Sequence, residues 1–300
     1  MSDTMTPLIQ QDWNAFHPWR VGAVRHRVFE DPLLQMDSLL ALGRRLEAAG
    51  QLLGIDKAST AGTTFTTSRA DVEGLEKIGE NKGWAILRYV QNDPIYRKLV
   101  DGVLDSVRPQ LEQKDPGMHY RAGFIFVSAQ HSVTPFHFDV EHNFILQMHG
   151  RKRLYVWDPD DLVVASEQAR NRFHYDRNRD LLVWREEFRE RAHVFDLEPG
   201  QGAYMPSTSP HMVETGPGLS ITMSFTYFTR GTRRDALLHK LHYMAQRAHI
   251  EMPAVGRHPH LDDLTEGAAT AAAGVRRLVR RLTGHPISRT DPPYAGVIQS

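Results

Sequence analysis

Apolar positions along the chain fall into four stretches of different period. Asp37-Ser38-Leu39-Leu40-Ala41-Leu42-Gly43-Arg44-Arg45-Leu46 predicts a short helix, capped by Asp37 or Ser38 and stopped at Gly50. Residues 60–70, rich in Thr, Gly and Ser, read as a loop. Trp84-Ala85-Ile86-Leu87-Arg88-Tyr89-Val90 reads as a strand, after which Asn92-Asp93-Pro94 opens a helix with Asp93 as cap. Its apolar residues Tyr96, Leu99, Val100, Val103, Leu104 and Val107 keep helical spacing and form a core stripe. From 124 to 228 the period shortens. Residues 124–127, 143–149, 152–157, 194–197, 203–205 and 219–228 predict short strands separated by Gly and Pro turns. That pattern fits a closed or sandwiched β architecture. Beyond 233 helical spacing returns at Leu237, Leu238, Leu241, Met244 and Ala245, then at Val275, Leu278, Val279 and Leu282 after a break at 253–260.

The strand-rich region is interrupted at 158–192 by a polar, Arg-rich segment containing Tyr175 and Trp184. It is too long for a hairpin, which leaves a lid or a helical decoration. The chain therefore divides into an N-terminal extension over 1–115, a β core over 116–232 with this insertion, and a helical region over 233–300. Arg276, Arg277, Arg280 and Arg281 flank the last apolar stripe, as a solvated face of a packed helix would require.

Lys plus Arg equals Asp plus Glu at 36 each, so the basic excess of a dedicated nucleic-acid binder is missing. With no cysteine, thiolate metal sites, cysteine nucleophiles and disulfide frameworks are excluded. Met1 to Gln11 lacks an apolar core of the signal-peptide kind, and no stretch approaches the roughly 18 apolar residues that span a bilayer. The expectation is a cytoplasmic protein without a membrane partner.

Chemistry concentrates in Thr134-Pro135-Phe136-His137-Phe138-Asp139, answered downstream by Pro210-His211. In an extended strand His137 and Asp139 project to one side, while Phe136 and Phe138 face the opposite layer. A distal histidine then completes a set of two imidazoles and one carboxylate. Such a set fills one face of an octahedral metal and leaves the other positions open. Taken alone, H-x-D is equally at home on an ordinary strand. Glu141 shares the same pleat direction and is a candidate for the pocket rim, whereas His142 should point away from the ligands. The remaining histidines of the 16, including His149, His239, His242, His249, His258 and His260, read as structural or solvated.

The surrounding order is specific. Asn143-Phe144 follows the H-x-D pair, then Gln147-Met148-His149-Gly150-Arg151-Lys152-Arg153, then a hydrophobic strand ending at Asp158-Pro159. Further on come Pro199-Gly200-Gln201-Gly202-Ala203-Tyr204-Met205-Pro206 and Pro210-His211-Met212-Val213. Over roughly 120–230 this resembles the cupin-like JmjC hydroxylases of the factor-inhibiting-HIF type, in particular a bacterial subgroup of about this length. The resemblance implies a double-stranded β-helix of jelly-roll type with N- and C-terminal helices. It also implies an Fe(II)- and 2-oxoglutarate-dependent oxygenase that consumes O2.

Residue by residue, His137, Asp139 and His211 match the family's iron ligands. Lys152 matches the lysine that pairs with the far carboxylate of 2-oxoglutarate, and Thr134 the hydroxyl that bonds the same group. Asn143 matches an amide near the co-substrate. Ser224 stands where some relatives carry an Asn, which departs from the pattern. Without the resemblance Lys152 would read as a solvated strand lysine beside Arg151 and Arg153. Asp139 itself favours hydroxylation, because related halogenases replace that carboxylate with a small residue. Demethylation begins with the same hydrogen abstraction. The resemblance further implies a homodimer built from the C-terminal helices. The primary substrate stays open among proteins, peptides and small molecules. A zinc-dependent cupin and a non-catalytic, ligand-binding regulator are the alternatives.

Overall fold

Alternation of side chains across a pleated strand explains most of the architecture. In the computed structural model, residues 8–55, 68–79 and 83–282 are described. The first strands are β1 (Ile9–Gln10), β2 (Gly22–His26), β3 (Leu52–Ile55), β4 (Ser68–Arg69), β5 (Trp84–Arg88) and β6 (His119–Ser128). They are followed by β7 (Val133–His137), β8 (His142–His149), β9 (Lys152–Val156), β10 (His193–Leu197), β11 (Gln201–Met205), β12 (His211–Thr215) and β13 (Ser220–Phe228). The helices are α1 (Met36–Ala48), α2 (Val72–Glu76), α3 (Pro94–Lys114), α4 (Glu167–Asp176), α5 (Arg230–Arg247) and α6 (Pro259–Leu282).

Nine strands form one antiparallel sheet in the order β1-β2-β11-β8-β13-β6-β5-β3-β4, and four form a second in the order β10-β9-β12-β7. The central strands β8, β11 and β13 of the larger sheet bury both faces, in different company. Phe144, Leu146, Ile125, Val127, Met223, Phe225 and Tyr227 pack outward in one core with Leu39, Leu42 and Leu46 of α1 and Val100, Val103 and Leu104 of α3. Their neighbours one residue along point inward. Ile145, Ala203 and Met205 meet Leu154, Val156, Leu197 and Val213 of the smaller sheet. Two antiparallel sheets closed face to face make a jelly-roll, the double-stranded β-helix that the strand pattern and the resemblance implied.

By contacts the chain divides into two compact units, Met1–Ala165 with Leu182–Thr232, and Ser166–Leu181 with Arg233–Ser300. The 158–192 insertion thus contributes helix α4 to the second unit. Ser166 caps that helix, its side chain accepting from the Ala169 N–H.

Local details correct the sequence reading. α1 starts at Met36 with Gln35 as its N-cap, so neither Asp37 nor Ser38 caps it. Asp37 instead lies in the first turn, where a carboxylate meets the positive end of the helix dipole. The strand expected over 84–90 ends at Arg88, because Tyr89 turns into left-handed backbone at φ 52°. Asp93 does cap α3, accepting from the Ile95 and Tyr96 N–H groups. Strands β1 to β4, two to five residues long and outside the strand-rich stretch at 124–228, were not foreseen. β7 was expected only as the extended segment that carries the H-x-D pair. The loop expected at 60–70 lies mostly outside the described residues, as do the side chains of the Arg-flanked stripe at 275–282.

Gly150, between β8 and β9, is required by shape. Its φ is +70°, and a Cβ there would run into the Leu219 carbonyl oxygen. The turn delivers Lys152 as the first residue of β9.

Candidate metal centre and co-substrate pocket

Strands β7 and β12 pair so that His137 lies directly opposite His211. Directly opposed residues share a face, and the two imidazole centroids stand 4.1 Å apart. Each ring is oriented by a backbone carbonyl. Nδ1–H of His137 donates to the Pro135 carbonyl (2.7 Å), and Nδ1–H of His211 to the Ser209 carbonyl (3.0 Å). A carbonyl can only accept, so the proton sits on Nδ1 and both Nε2 lone pairs are offered to the site. Asp139 Oδ2 lies 3.8 Å from each Nε2. One ligand atom from each of the three residues fits within a 4.8 Å cluster.

Asp139 does not sit on the strand, as H-x-D alternation suggested. β7 ends at His137, and Asp139 lies just beyond it. Its place is held by the loop that leads into β12. The Thr208 N–H donates to the Asp139 carbonyl (2.7 Å), and Ser207 Oγ donates to the Val140 carbonyl (2.8 Å). His142, fully buried, bonds the same loop: its Nδ1 accepts from the Ser207 N–H (3.1 Å) and lies 3.0 Å from the Tyr204 hydroxyl, which donates to the Pro18 carbonyl. Its Nε2 faces Asp115 Oδ2 at 3.2 Å. His142 thus points away from the metal ligands and ties their two loops together. Phe136 is buried against Trp157, Trp184 and Phe188 on the side away from the ligands.

Thr134 lies three residues before His137, so strict alternation would turn it to the opposite face. A β-bulge intervenes: His211 pairs with His137 and Val213 with Thr134. Two steps on β12 answer three on β7, which returns Thr134 to the ligand face. Lys152 pairs with Thr215 on β12, and Val156 with His211. The even spacing puts Lys152 on the same face as His211, about 13 Å along the strand.

Lys152 is buried, with 6% of its surface exposed. Its ammonium donates to Ser128 Oγ (3.0 Å) and stands 5.9 Å from the centre of the Phe126 ring. Among the described residues no carboxylate pairs with it, and burial alone pushes it down to about 7. Asn143 and Ser224 line the inner face of the larger sheet, with Asn143 Nδ2 donating to Ser224 Oγ at 3.1 Å. The Asn143 Oδ1 is buried without a hydrogen-bond partner. An uncompensated buried ammonium, a hydroxyl and an unsatisfied amide are the fittings of an anion pocket. The residues present therefore suit a dicarboxylate beside a metal.

Sequence reasoning missed Ser128 and Phe126, which meet the Lys152 head. Their signal was present in the alternation Phe124-x-Phe126-x-Ser128 along β6. It also missed Arg88 and Tyr89. The Tyr89 ring lies 5.1 Å from that of Phe124, and the Arg88 guanidinium 5.4 Å from the Tyr89 centroid. Glu141, expected at the rim, is near enough to help push the Tyr89 phenol up, after burial, the main cause.

Fold and site together describe a jelly-roll with a candidate two-histidine, one-carboxylate ligand set at its smaller sheet. Residues 56–232 match the model of the cupin-like domain family, and the chain belongs to that family. Solved structures of YcfD from Escherichia coli share the fold. One matches with TM-score 0.53 at 15% identity, over 93% of this chain and 69% of that one. Another, described as a ribosomal oxygenase in complex with cobalt and 2-oxoglutarate, matches with TM-score 0.52 at 16% identity, over 93% and 68%. No curated protein matches the sequence. No helix among the described residues is long and apolar enough to cross a membrane.

Proposed function

We propose that this chain is an Fe(II)- and 2-oxoglutarate-dependent oxygenase that hydroxylates, or by the same hydrogen abstraction demethylates, a protein, peptide or small-molecule substrate. The observation that carries it is the buried Lys152 ammonium, with no carboxylate partner among the described residues, on the face that also carries the candidate ligand set. A zinc-only cupin has no use for that cation. The two E. coli structures with cobalt and 2-oxoglutarate and with cobalt and succinic acid support the same co-substrate and co-product.

In this reading His137, Asp139 and His211 hold the iron. Lys152 and the Thr134 hydroxyl take the far carboxylate, and Asn143 with Ser224 borders the co-substrate. Iron with 2-oxoglutarate and O2 supplies the oxidising chemistry, releasing succinate and CO2. The chain contributes orientation and a dry wall: Ile145, Leu154, Val156 and Val213 are buried around the ligand face and exclude water. The Nδ1–H bonds to the Pro135 and Ser209 carbonyls hold both rings with Nε2 toward the metal position.

Anaerobic addition of Fe(II) and then 2-oxoglutarate to the metal-free protein tests this directly. The expected result is a visible metal-to-ligand charge-transfer band, followed by succinate release on admitting O2. Bound iron without a band would overturn the co-substrate assignment and leave a zinc cupin or a ligand-binding regulator.

We further read residues 1–115 as an extension of the catalytic core at 116–232, residues 233–300 as the self-association element of a cytoplasmic homodimer, and the absence of a basic excess as disfavouring a nucleic-acid partner. Support for the dimer comes from the apolar helical spacing in the C-terminal region. Light scattering should return twice the 34.2 kDa chain mass. A monomer at all concentrations would refute the dimer.

A further inference from the structure

Helices α4 and α5 each present a row of ligand-type side chains at i, i+4 and i+7. On α4 these are Glu167, Asn171 and His174; on α5 they are Asp235, His239 and His242. That spacing puts each trio on one face of its helix. The rows meet in antiparallel order. Glu167 Oε1 lies 3.5 Å from Nδ1 of both His239 and His242, while His174 meets Asp235. All six residues belong to the second compact unit, apart from the jelly-roll site.

The seam is buried and poorly satisfied. His174 is 1% exposed and Asn171 fully buried, with His239 and His242 at 4% and 2%. Yet both ring nitrogens of His174, Asp235 Oδ2, Asn171 Nδ2 and His242 Nε2 lack a well-aligned hydrogen-bond partner among the described residues. Buried polar atoms are nearly always paired, so such a concentration calls for an explanation. His174 Nε2 and Asp235 Oδ2 stand 3.3 Å apart, and His239 Nε2 stands 3.5 Å from Asp235 Oδ1. Two ligand atoms each about 2.0–2.1 Å from a tetrahedral zinc are about 3.3–3.4 Å apart.

The tautomer of His239 also fits a metal. Its Nδ1–H donates to Asn171 Oδ1 at 2.7 Å, which frees Nε2 to face Asp235 and His174. A second ring nitrogen tied to an amide or carbonyl oxygen is the usual support of a metal-bound histidine.

We propose that His174, Asp235 and His239 form a second metal centre, taking a divalent first-row transition ion of the zinc class. One ligand atom from each lies within a 4.8 Å cluster. The Asp235 side chain is 19% exposed, while its Oδ2, the atom facing His174, is buried. Glu167 and His242 form the outer support, with Glu167 Oε1 also accepting from the Val255 N–H (3.1 Å). The ion fastens α4, the helix of the insertion, to α5. Its chemistry is structural, because the three ligands come from two helices packed along one seam.

The test uses the full chain, stripped of metal and titrated with Zn(II) alone against a chromophoric chelator. His137→Ala/His211→Ala removes two ligands of the jelly-roll site and leaves this seam intact. That variant should still bind one equivalent of Zn(II) and melt at a higher temperature with it. In the same background, the near-isosteric Asp235→Asn should weaken that equivalent at least tenfold. Asn171→Leu, which strips His239 of its support, should weaken it by about 10–100-fold. No Zn(II) bound by the double variant would overturn the proposal, as would an equivalent whose affinity Asp235→Asn leaves unchanged. Neither outcome depends on the oxygenase reading.

Discussion

Replacing His211 by Ala should weaken Fe(II) binding by more than about 100-fold and reduce succinate formation to background. The lower bound comes from the outer shell: losing a group that merely supports a ligand costs about 10–100-fold in metal affinity. Losing a ligand removes a bond as well as its orientation. The structure shows how little redundancy the site holds. Nε2 of His137 and of His211 each stand 3.8 Å from the same Asp139 oxygen, and no fourth His, Asp or Glu joins the cluster among the described residues. The substitution also deletes the Nδ1–H bond to the Ser209 carbonyl, which contributes only about 0.5–1.5 kcal/mol to stability. Far-UV circular dichroism should therefore stay at wild type while iron affinity, read by anaerobic competition with a chelator, collapses. Unchanged Fe(II) affinity in a folded His211→Ala protein would remove this residue from the metal site. The second seam at His174 makes one control necessary: iron must be counted per chain, since metal held there would mimic residual affinity.

The parts of this site that were legible in the sequence are those carried by residue identity. The trio His137, Asp139 and His211, with Lys152, Thr134, Asn143 and Ser224, could be named before any coordinate, because a resemblance transfers residues. Geometry was legible only where a simple period rules. Alternation correctly turned Phe136 and His142 away from the ligands. It set Asp139 on the side of His137, where its Oδ2 does lie, although Asp139 stands past the end of β7, and it could not place Thr134, which reaches the ligand face only through a bulge. A bulge is one extra residue in a pairing, and pairing partners are not written locally in a strand. The strand pattern and the resemblance together gave the jelly-roll. The short strands β1 to β4 escaped because they lie apart from the run of strand segments between 124 and 228. The seam of α4 and α5 escaped for a related reason. His174 and His239 are 65 positions apart, and each taken singly is an ordinary helix residue. Only the antiparallel packing of two i, i+4, i+7 rows reveals a cluster.

Lys152→Met should raise the 2-oxoglutarate concentration needed for half-saturation by roughly 30- to several thousand-fold. Truncating one partner of a buried, hydrogen-bonded charge pair costs about 2–5 kcal/mol, and about 1.4 kcal/mol is one factor of ten. Methionine keeps the length of the apolar stem against Phe126, so packing is largely conserved and the loss reports charge. Stability should move the other way. In the metal-free protein the ammonium is buried with only Ser128 Oγ as hydrogen-bond acceptor, and burial lowers it from the ordinary 10.5 to about 7. The folded state then binds fewer protons than the unfolded chain between about 7 and 10.5, so stability rises with pH across that window. A neutral Met removes the cost of burying the cation and abolishes this slope. The co-substrate needs the opposite protonation state. A dianion binds the ammonium form, so wild-type affinity for 2-oxoglutarate should be level below about pH 7. Above that it should weaken by about tenfold per unit as Lys152 loses its proton. Charge-transfer titrations at saturating Fe(II), carried from pH 6.5 to 9, read this directly. Lys152→Met should give a weak and pH-independent curve over the same range. A wild-type affinity that does not change with pH, or a Met variant that binds like wild type, would mean that the far carboxylate is held elsewhere. The buried ammonium would then be a structural liability with no ligand to offset it.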